Sequence, residues 1–235
     1  MTDIDGALLI DKGTGWTSHD IVARVRSHCK VKKVGHCGAL DPNAIGLLVV
    51  VLGKATKLSE RLMEQDKFYE GIVRFGETTD SYDADGNITA TSPVPPMTLE
   101  SLNEEAKAFV GDILQEPPMI SAIKVDGVPL YKLARKGKTV ERKPRLVHIY
   151  RYKFTDYMKP DGTFKIACTK GTYVRSLAHE LGANLGCGAH LKQLRRTRSG
   201  SFDVAQALTI DAITKMSPAQ LAKHVIPIPE LTRPQ

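Results

Sequence analysis

The apolar run LLVVVL, residues 47–52, restricts the possible folds most strongly. Such a short, continuous run is typical of a strand buried on both faces, and it falls far short of the roughly 18 apolar residues that a membrane-spanning helix requires. The N-terminal sequence MTDIDG is acidic where a signal peptide is basic. Four cysteines in 235 residues do not resemble a secreted disulfide framework. We therefore expect a globular, cytoplasmic protein with free thiols.

Strands and helices are interleaved along the chain without a regular βαβ period. This order predicts an α+β fold with a mixed, mainly antiparallel sheet flanked by helices, in one large domain or two closely packed ones. The pattern predicts a helix over 18–29 with Ser18 as its N-cap, and a later helix that ends at Gly111. Asp126 and Gly127 indicate the turn of a hairpin.

Positive charge is concentrated in two runs, although the chain as a whole carries a net charge of +7. Residues 77–105 contain seven acids and no lysine or arginine. The basic runs are typical of phosphate contacts, so we expect a nucleic-acid partner; a solvated charged face is the alternative for either run. The candidate RNA-backbone contacts are Lys132, Arg135, Lys136, Lys138, Arg142, Lys143, Arg195 and Arg196.

Three motifs that suggest a metal or a nucleotide fail on inspection. The SYDADG segment has Ser81 where a calcium loop begins with Asp, and Ser92 where that loop ends with Glu. A P-loop ending at the GKT triplet would need a glycine where Lys132 stands. The His-Cys pairs at 28–29 and 36–37 lack the short spacing of a zinc site. We expect no metal and no nucleotide cofactor.

The segment GHCGALDPNAIG, residues 35–46, contains a single acid, Asp41. Pro42 biases Asp41 away from helical backbone, and the three glycines permit close approach to a ligand. Such a loop can position a nucleophilic carboxylate, although an ordinary Asp-Pro turn remains the alternative. No second acid at short spacing suggests a local glycosidase pair, and no Ser or Cys nucleophile elbow appears in the sequence.

This segment resembles the Gly-His-x-Gly-x-Leu-Asp-Pro motif of the TruB family of tRNA pseudouridine synthases. Further segments agree with the family in the same order: LLIDKGTGWTS, DKFYEGIVRFGETTDSYDADG, PPMISAIKVDGVPLYKLARKG, KGTYVRSLAHELG and AHLKQLRRTRSGSF. The resemblance extends from about residue 6 to residue 215. It implies a pseudouridine synthase catalytic domain over 1–235, with an RNA-gripping insertion at about 117–145.

The resemblance also implies an activity and its catalytic residues. The expected enzyme is a monomer that needs no cofactor and converts uridine 55 in the TΨC loop of tRNA to pseudouridine. Asp41 is the implied nucleophile, attacking either the sugar or the base. Arg175 would pair with Asp41 and keep it ionised. Tyr69 would stack on the flipped base near C5, where a proton leaves.

Five further positions match residues that the family uses to bind substrate. His36 matches the histidine that enters the RNA loop after the target base has left. Tyr173 and Leu194 match the lining of the uracil pocket. Asp83 matches an acid that organises the active-site arginine, and Lys12 matches the lysine of the N-terminal motif.

The chain departs from the family pattern at a few positions. Gly13 replaces a usual proline and Cys37 a common threonine, and neither change removes a catalytic group. No segment resembling a C-terminal PUA-type domain follows, so we expect a short form with weaker tRNA affinity. Two alternatives remain: a non-catalytic protein that binds or folds tRNA, and a pseudouridine synthase acting on another RNA.

Overall fold

The computed structural model describes residues 4–121, 123–125, 127–134 and 136–233. Within these residues the strands, numbered in chain order, are β1 Gly6–Lys12, β2 Val34–His36, β3 Ile45–Leu52, β4 Lys67–Phe75, β5 Glu77–Thr79, β6 Ile88–Thr91, β7 Gly111–Gln115, β8 Lys124–Val125, β9 Val128–Pro129, β10 Arg145–Met158, β11 Asp161–Cys168, β12 Ala189–Ser199, β13 Phe202–Asp203, β14 Leu208–Thr209 and β15 Ile226–Pro227. The helices are α1 Ser18–Cys29, α2 Ser59–Met63, α3 Leu99–Lys107, α4 Leu130–Ala134, α5 Val174–Asn184, α6 Ile210–Lys215, α7 Pro218–Ala222 and α8 Ile228–Leu231, and 3-10 helices span Gly53–Leu58 and Val204–Gln206. No helix in the described part of the chain has the length and hydropathy needed to cross a membrane.

The chain separates into two compact units. The terminal unit contains residues 4–69 and 194–233, and the central unit contains the described residues of 70–193. The boundaries fall inside strands β4 and β12. Each candidate site residue therefore belongs to one unit or the other, and the two units are described in turn.

The strands of the terminal unit follow the order β14-β1-β3-β12-β4. Three further strands pair with members of this series: β15 with β1, β2 with β3 and β13 with β12. Strands β1 and β3 are antiparallel, with Leu8 opposite Val50. Strand β12 is parallel to β3, and β14 is parallel to β1. The sheet is therefore mixed.

Strand β3 is buried on both faces, as its apolar run predicts. One face packs with helix α1 in a cluster that includes Leu48, Val50 and Leu52. The opposite face enters a second cluster that includes Leu47, Val49 and Val51. Because successive strand side chains point to opposite faces, an uninterrupted apolar run is needed to fill both clusters.

The central unit is mainly antiparallel, with the order β12-β4-β11-β10-β7. Phe154 and Phe164 face each other across β10 and β11, and both are fully buried. Helix α3 is attached to β10 by the Asn103 side chain, which donates to the Phe154 carbonyl at 3.1 Å and accepts from its N–H at 2.8 Å. Because the main sheet contains both parallel and antiparallel strand pairs and is accompanied by helices, the predicted α+β class is confirmed.

Two predicted helix caps are wrong. Thr17, not Ser18, is the N-cap of α1, and it forms a capping box with Asp20. Helix α3 ends at Lys107 with Ala108 as its C-cap, and Gly111 instead begins β7 with a φ of +101°. The hairpin predicted around Asp126 and Gly127 is present as β8 and β9, although Asp126 itself lies outside the described residues.

Candidate active site

Asp41 lies on an exposed turn of the terminal unit, immediately before strand β3. Its backbone carbonyl accepts a hydrogen bond from Ala44 N–H at 3.1 Å, and Pro42 occupies the second position of this turn. Proline fixes the φ that this position requires. An Asp-Pro turn is therefore present, and it leaves the side chain of Asp41 at the surface.

A buried arginine holds the backbone that leads into this turn. Arg196 is only 2% exposed. Its guanidinium donates to the carbonyls of Gly38 at 3.0 Å, Ala39 at 3.4 Å and Leu47 at 2.7 Å. This position corrects the prediction that Arg196 contacts the RNA backbone, because its donors are used inside the terminal unit. Its charge is accommodated in the interior because carbonyl oxygens surround it.

The glycine at 46 is required by the same packing. Gly46 pairs with Arg196 across β3 and β12 and has a φ of +99°. A Cβ at this position would lie 2.3 Å from the Arg196 carbonyl oxygen. Only glycine satisfies both the left-handed backbone and the close approach. Gly46 thus serves the packing of the loop.

A buried lysine supports the turn from its other side. Lys12 is fully buried, and its ammonium donates to the carbonyls of Pro42 at 3.0 Å, Trp16 at 2.8 Å and Gly13 at 3.0 Å. The hydroxyl of Ser18 also accepts from the Leu40 N–H at 2.9 Å. Burial makes Lys12 a support for the Asp41 turn and corrects its assignment as a direct substrate contact.

The other candidate residues of the terminal unit are half-buried. His36 lies on β2, Tyr69 on β4 and Leu194 on β12. Burial lowers the pKa of the His36 imidazole, and the nearby His19 and Arg196 lower it further. At neutral pH His36 is therefore an uncharged ring, which suits stacking or insertion between bases better than a solvated cation does.

Cys37 follows His36 and is buried. Burial raises the pKa of its thiol to about 12, although Lys67 and Arg196 act in the opposite direction. The thiol is therefore protonated at neutral pH and is not a nucleophile. Among the residues that the structure describes, no group of three or more His, Cys, Asp and Glu side chains is placed to hold a metal ion.

In the central unit, Arg175 and Asp83 form the ion pair that the family resemblance implies. Arg175 lies at the start of α5 and is 4% exposed. One guanidinium nitrogen lies 3.3 Å from Asp83 Oδ2, and the other donates to the Ile120 carbonyl at 2.8 Å. The two acceptors lie in different directions, and the planar guanidinium donates to both at once. A lysine ammonium would do this less well.

Gln115 fixes the backbone beside Arg175, a role that sequence reasoning missed. This side chain is buried, accepts from the Tyr173 N–H at 2.7 Å and donates to the Tyr173 carbonyl at 3.1 Å. The Tyr173 ring lies below the guanidinium of Arg175, with 5.8 Å between the ring centroid and Cζ. A single glutamine in an edge strand carries no recognisable signal in the sequence.

Tyr82 was also missed, although it neighbours Asp83. It adopts a φ of +66°, which is rare for a residue with a bulky side chain. Its ring stacks on His179 of α5, with 3.8 Å between centroids and 15° between planes. Ser81 supports the same turn by donating to Asp83 Oδ1 at 2.5 Å. These contacts hold the turn that presents Asp83 to Arg175.

The remaining basic candidates fall into two classes. The lysines of the insertion are exposed, and none forms an ion pair with an acid in the described part of the chain: Lys132, Lys136, Lys138 and Lys143. Arg142 instead pairs with Glu116 at 2.5 Å. Arg195 pairs with Asp11 at 2.8 Å and is half-buried. Arg135 lies outside the described residues.

Comparison with known proteins gives matches along nearly the whole chain. Residues 26–174 match the family described as "TruB family pseudouridylate synthase (N terminal domain)", and residues 175–231 match "tRNA pseudouridylate synthase B C-terminal domain". A protein named tRNA pseudouridine synthase B from Opitutus terrae is 51% identical over 226 residues, which cover 96% of this chain and 94% of the relative. The protein of the same name from Syntrophotalea carbinolica is 46% identical, with 98% of this chain and 75% of the relative covered.

One solved structure also matches nearly the whole chain. The structure titled "Crystal Structure of a Cbf5-Nop10-Gar1 Complex" contains a chain that is 27% identical, with a TM-score of 0.76. The alignment covers 97% of this chain and 61% of that chain. From the two family matches and the identity to its relatives, this chain belongs to the TruB family of pseudouridylate synthases.

Proposed function

We propose that this protein converts uridine 55 in the TΨC loop of tRNA to pseudouridine. Family membership and the relatives named tRNA pseudouridine synthase B support its identity as an enzyme that isomerises uridine in tRNA. The observation that carries the proposal is the exposed carboxylate of Asp41 on a turn held by the buried cations Lys12 and Arg196. Such support fixes the backbone of a nucleophile while leaving its side chain accessible.

The reaction needs a nucleophile and a proton transfer, but no redox partner. The N1–C1′ bond of the uridine breaks, the base turns over, and a C5–C1′ bond forms. N1 then carries a proton, and the proton on C5 is lost. Asp41 forms a covalent bond to the sugar or the base during this exchange and is released at its end, which divides one difficult step into easier ones. No group is gained or lost overall.

Each remaining candidate residue has a place in this scheme. Arg175, oriented by Asp83, is assigned the role of keeping Asp41 ionised. Tyr69 stacks on the flipped uracil near C5, and Tyr173 and Leu194 line its pocket. The neutral ring of His36 fills the space that the uridine leaves in the RNA loop, which offsets part of the few kcal/mol that extruding a base costs.

The RNA is held through its phosphates. The exposed lysines of the insertion contact the T stem and loop of the tRNA, since each neutralised phosphate releases condensed counterions. We propose that the protein acts as a monomer without metal or nucleotide, in the cytoplasm, where its four buried free thiols are stable.

Mapping pseudouridine after incubation with an unmodified tRNA transcript tests the proposal. We expect one modified position, uridine 55. A protein that binds the transcript without forming pseudouridine would instead be the non-catalytic alternative. Modification of other RNAs in preference to tRNA would favour the second alternative, which the 51% and 46% identity to proteins named tRNA pseudouridine synthase B argues against.

A further inference from the structure

The only tryptophan of the chain, Trp16, lies beside the Asp41 turn and is 37% exposed. It belongs to the loop between β1 and α1, residues 13–17. No ring and no cation of the described residues packs over the face of its indole. More than a third of this side chain is therefore open to water, and an indole face is available to a ligand.

The backbone around Trp16 is attached directly to the Asp41 turn. The buried ammonium of Lys12 donates both to the Trp16 carbonyl at 2.8 Å and to the Pro42 carbonyl at 3.0 Å. The Gly15 N–H donates to the same Pro42 carbonyl at 3.2 Å. Because a buried cation joins the two loops, their backbones keep a fixed separation, and an RNA that reaches Asp41 approaches Trp16 as well.

The residues after Trp16 are equally fixed. Thr17 donates its backbone N–H to Asp20 Oδ2 at 2.9 Å and accepts from the Asp20 N–H at 3.1 Å. His19, the second residue of α1, packs its ring against His36, with 5.5 Å between centroids and an interplanar angle of 80°. Hydrogen bonds thus hold the backbone on both sides of the indole.

We propose that Trp16 stacks on an unpaired base of the substrate RNA next to the flipped uridine. This inference rests on the proposed function, since it requires a single-stranded RNA loop at Asp41. Unstacked loop bases expose π faces that an indole covers independently of base identity. An exposed indole face covers a base by stacking, whereas a phosphate is bound mainly through cations and hydrogen-bond donors, so this side chain favours a base over a phosphate.

The single tryptophan makes the test direct. Intrinsic fluorescence of the full chain is followed while unmodified tRNA is added, in parallel with filter binding and single-turnover pseudouridine formation. We expect the fluorescence to be quenched with the same Kd that filter binding gives. Trp16→Ala is expected to weaken binding by about 5- to 150-fold, the range of one lost base stack, with the rate at saturating tRNA changed less than about threefold.

Two variants separate stacking from general packing. Trp16→Phe keeps an aromatic face and is expected to bind within about threefold of wild type, whereas Trp16→Leu keeps an apolar side chain and is expected to bind as weakly as Trp16→Ala. Tyr150, a 51% exposed aromatic of the central unit, provides the matched control, and Tyr150→Ala is expected to leave affinity unchanged.

Two results would overturn the inference. If saturating tRNA leaves the fluorescence unchanged, or if Trp16→Leu binds as well as Trp16→Phe, the indole does not stack on a base. Normal pseudouridine formation in that experiment would leave the proposed function intact. A wild-type protein that neither binds nor modifies tRNA would overturn the proposed function and this inference together.

Discussion

The two basic runs of the chain have similar compositions, but their side chains differ in burial and in ion pairing. In the run on β12, Arg196 is buried against backbone carbonyls and Arg195 pairs with Asp11. In the insertion, Lys136 and Lys138 are exposed without an acidic partner among the described residues. Of the basic side chains in the β12 run only Arg196 is buried, because the backbone carbonyls that lead into the Asp41 turn and β3 accept the hydrogen bonds of its guanidinium. A basic run therefore indicates a polyanionic partner only where the fold leaves its charges at the surface.

The largest expected effect comes from removing the buried charge. Arg196→Met leaves the carbonyls of Gly38, Ala39 and Leu47 without their donor. Each buried acceptor left unsatisfied costs about 1–3 kcal/mol, so we expect the free energy of unfolding to fall by at least about 3 kcal/mol. Urea denaturation measures this loss.

Arg198→Met is the matched control on the same strand. Arg198 is exposed, and its Cζ lies 4.8 Å from the centroid of the Phe68 ring. An exposed cation–π contact contributes about 0.5–1 kcal/mol, so the control is expected to lose no more than that. If the two variants lose the same free energy of unfolding, burial does not make Arg196 more important for stability than Arg198.

The variant Arg175→Lys tests whether the buried arginine of the central unit affects the rate of pseudouridine formation. Arg175→Lys keeps the charge but cannot reach both Asp83 and the Ile120 carbonyl with a planar fork. We expect single-turnover rates to fall about 100-fold or more, with tRNA affinity changed by less than about 1 kcal/mol. Parallel loss of affinity and a lower salt dependence of binding would instead make Arg175 a phosphate contact.

The exposed lysines are expected to affect binding alone. Changing Lys132, Lys136, Lys138 and Lys143 together to Gln should leave stability unchanged and reduce the slope of log affinity against log salt. The expected reduction is about 0.7–0.9 for each phosphate contact that is lost. Filter binding across a salt series measures the slope, and an unchanged slope would identify these lysines as a solvated face. Lys107→Gln, at a lysine paired with Glu104, serves as the control.

The smallest expected effect concerns pH. The pKa of His36 is lowered in the folded protein, so below about 6.5 the unfolded chain takes up a proton that the folded chain does not. The contribution of His36 to the free energy of unfolding is therefore present at neutral pH and is lost as the pH falls below about 6.5. Urea denaturation at pH 5 and pH 7 should show a smaller difference for His36→Gln than for wild type. An identical difference would mean that His36 is protonated in the folded protein.

The sequence predicts the parts of this molecule that depend on local pattern. The buried strand β3 and the Asp-Pro turn at Asp41 are both found. The pairing of Asp83 with Arg175 is also found, but it was implied by the family resemblance and not by a local pattern. The roles of Arg196 and Gln115 were not predictable, because each depends on carbonyls or backbone groups that are distant in sequence. A charge run gives no indication of which side chain will be buried until the neighbouring strands are known.

Single-turnover assay of Asp41→Asn, with tRNA binding measured in parallel, tests the central claim most directly. The amide preserves the shape of the side chain but removes the nucleophilic carboxylate, and the turn is held by Lys12 and Arg196 through backbone carbonyls that the substitution does not change. We expect pseudouridine formation at uridine 55 to be abolished while tRNA affinity stays within about threefold of wild type. Pseudouridine formation at a substantial fraction of the wild-type rate would contradict the assignment of Asp41 as the nucleophile.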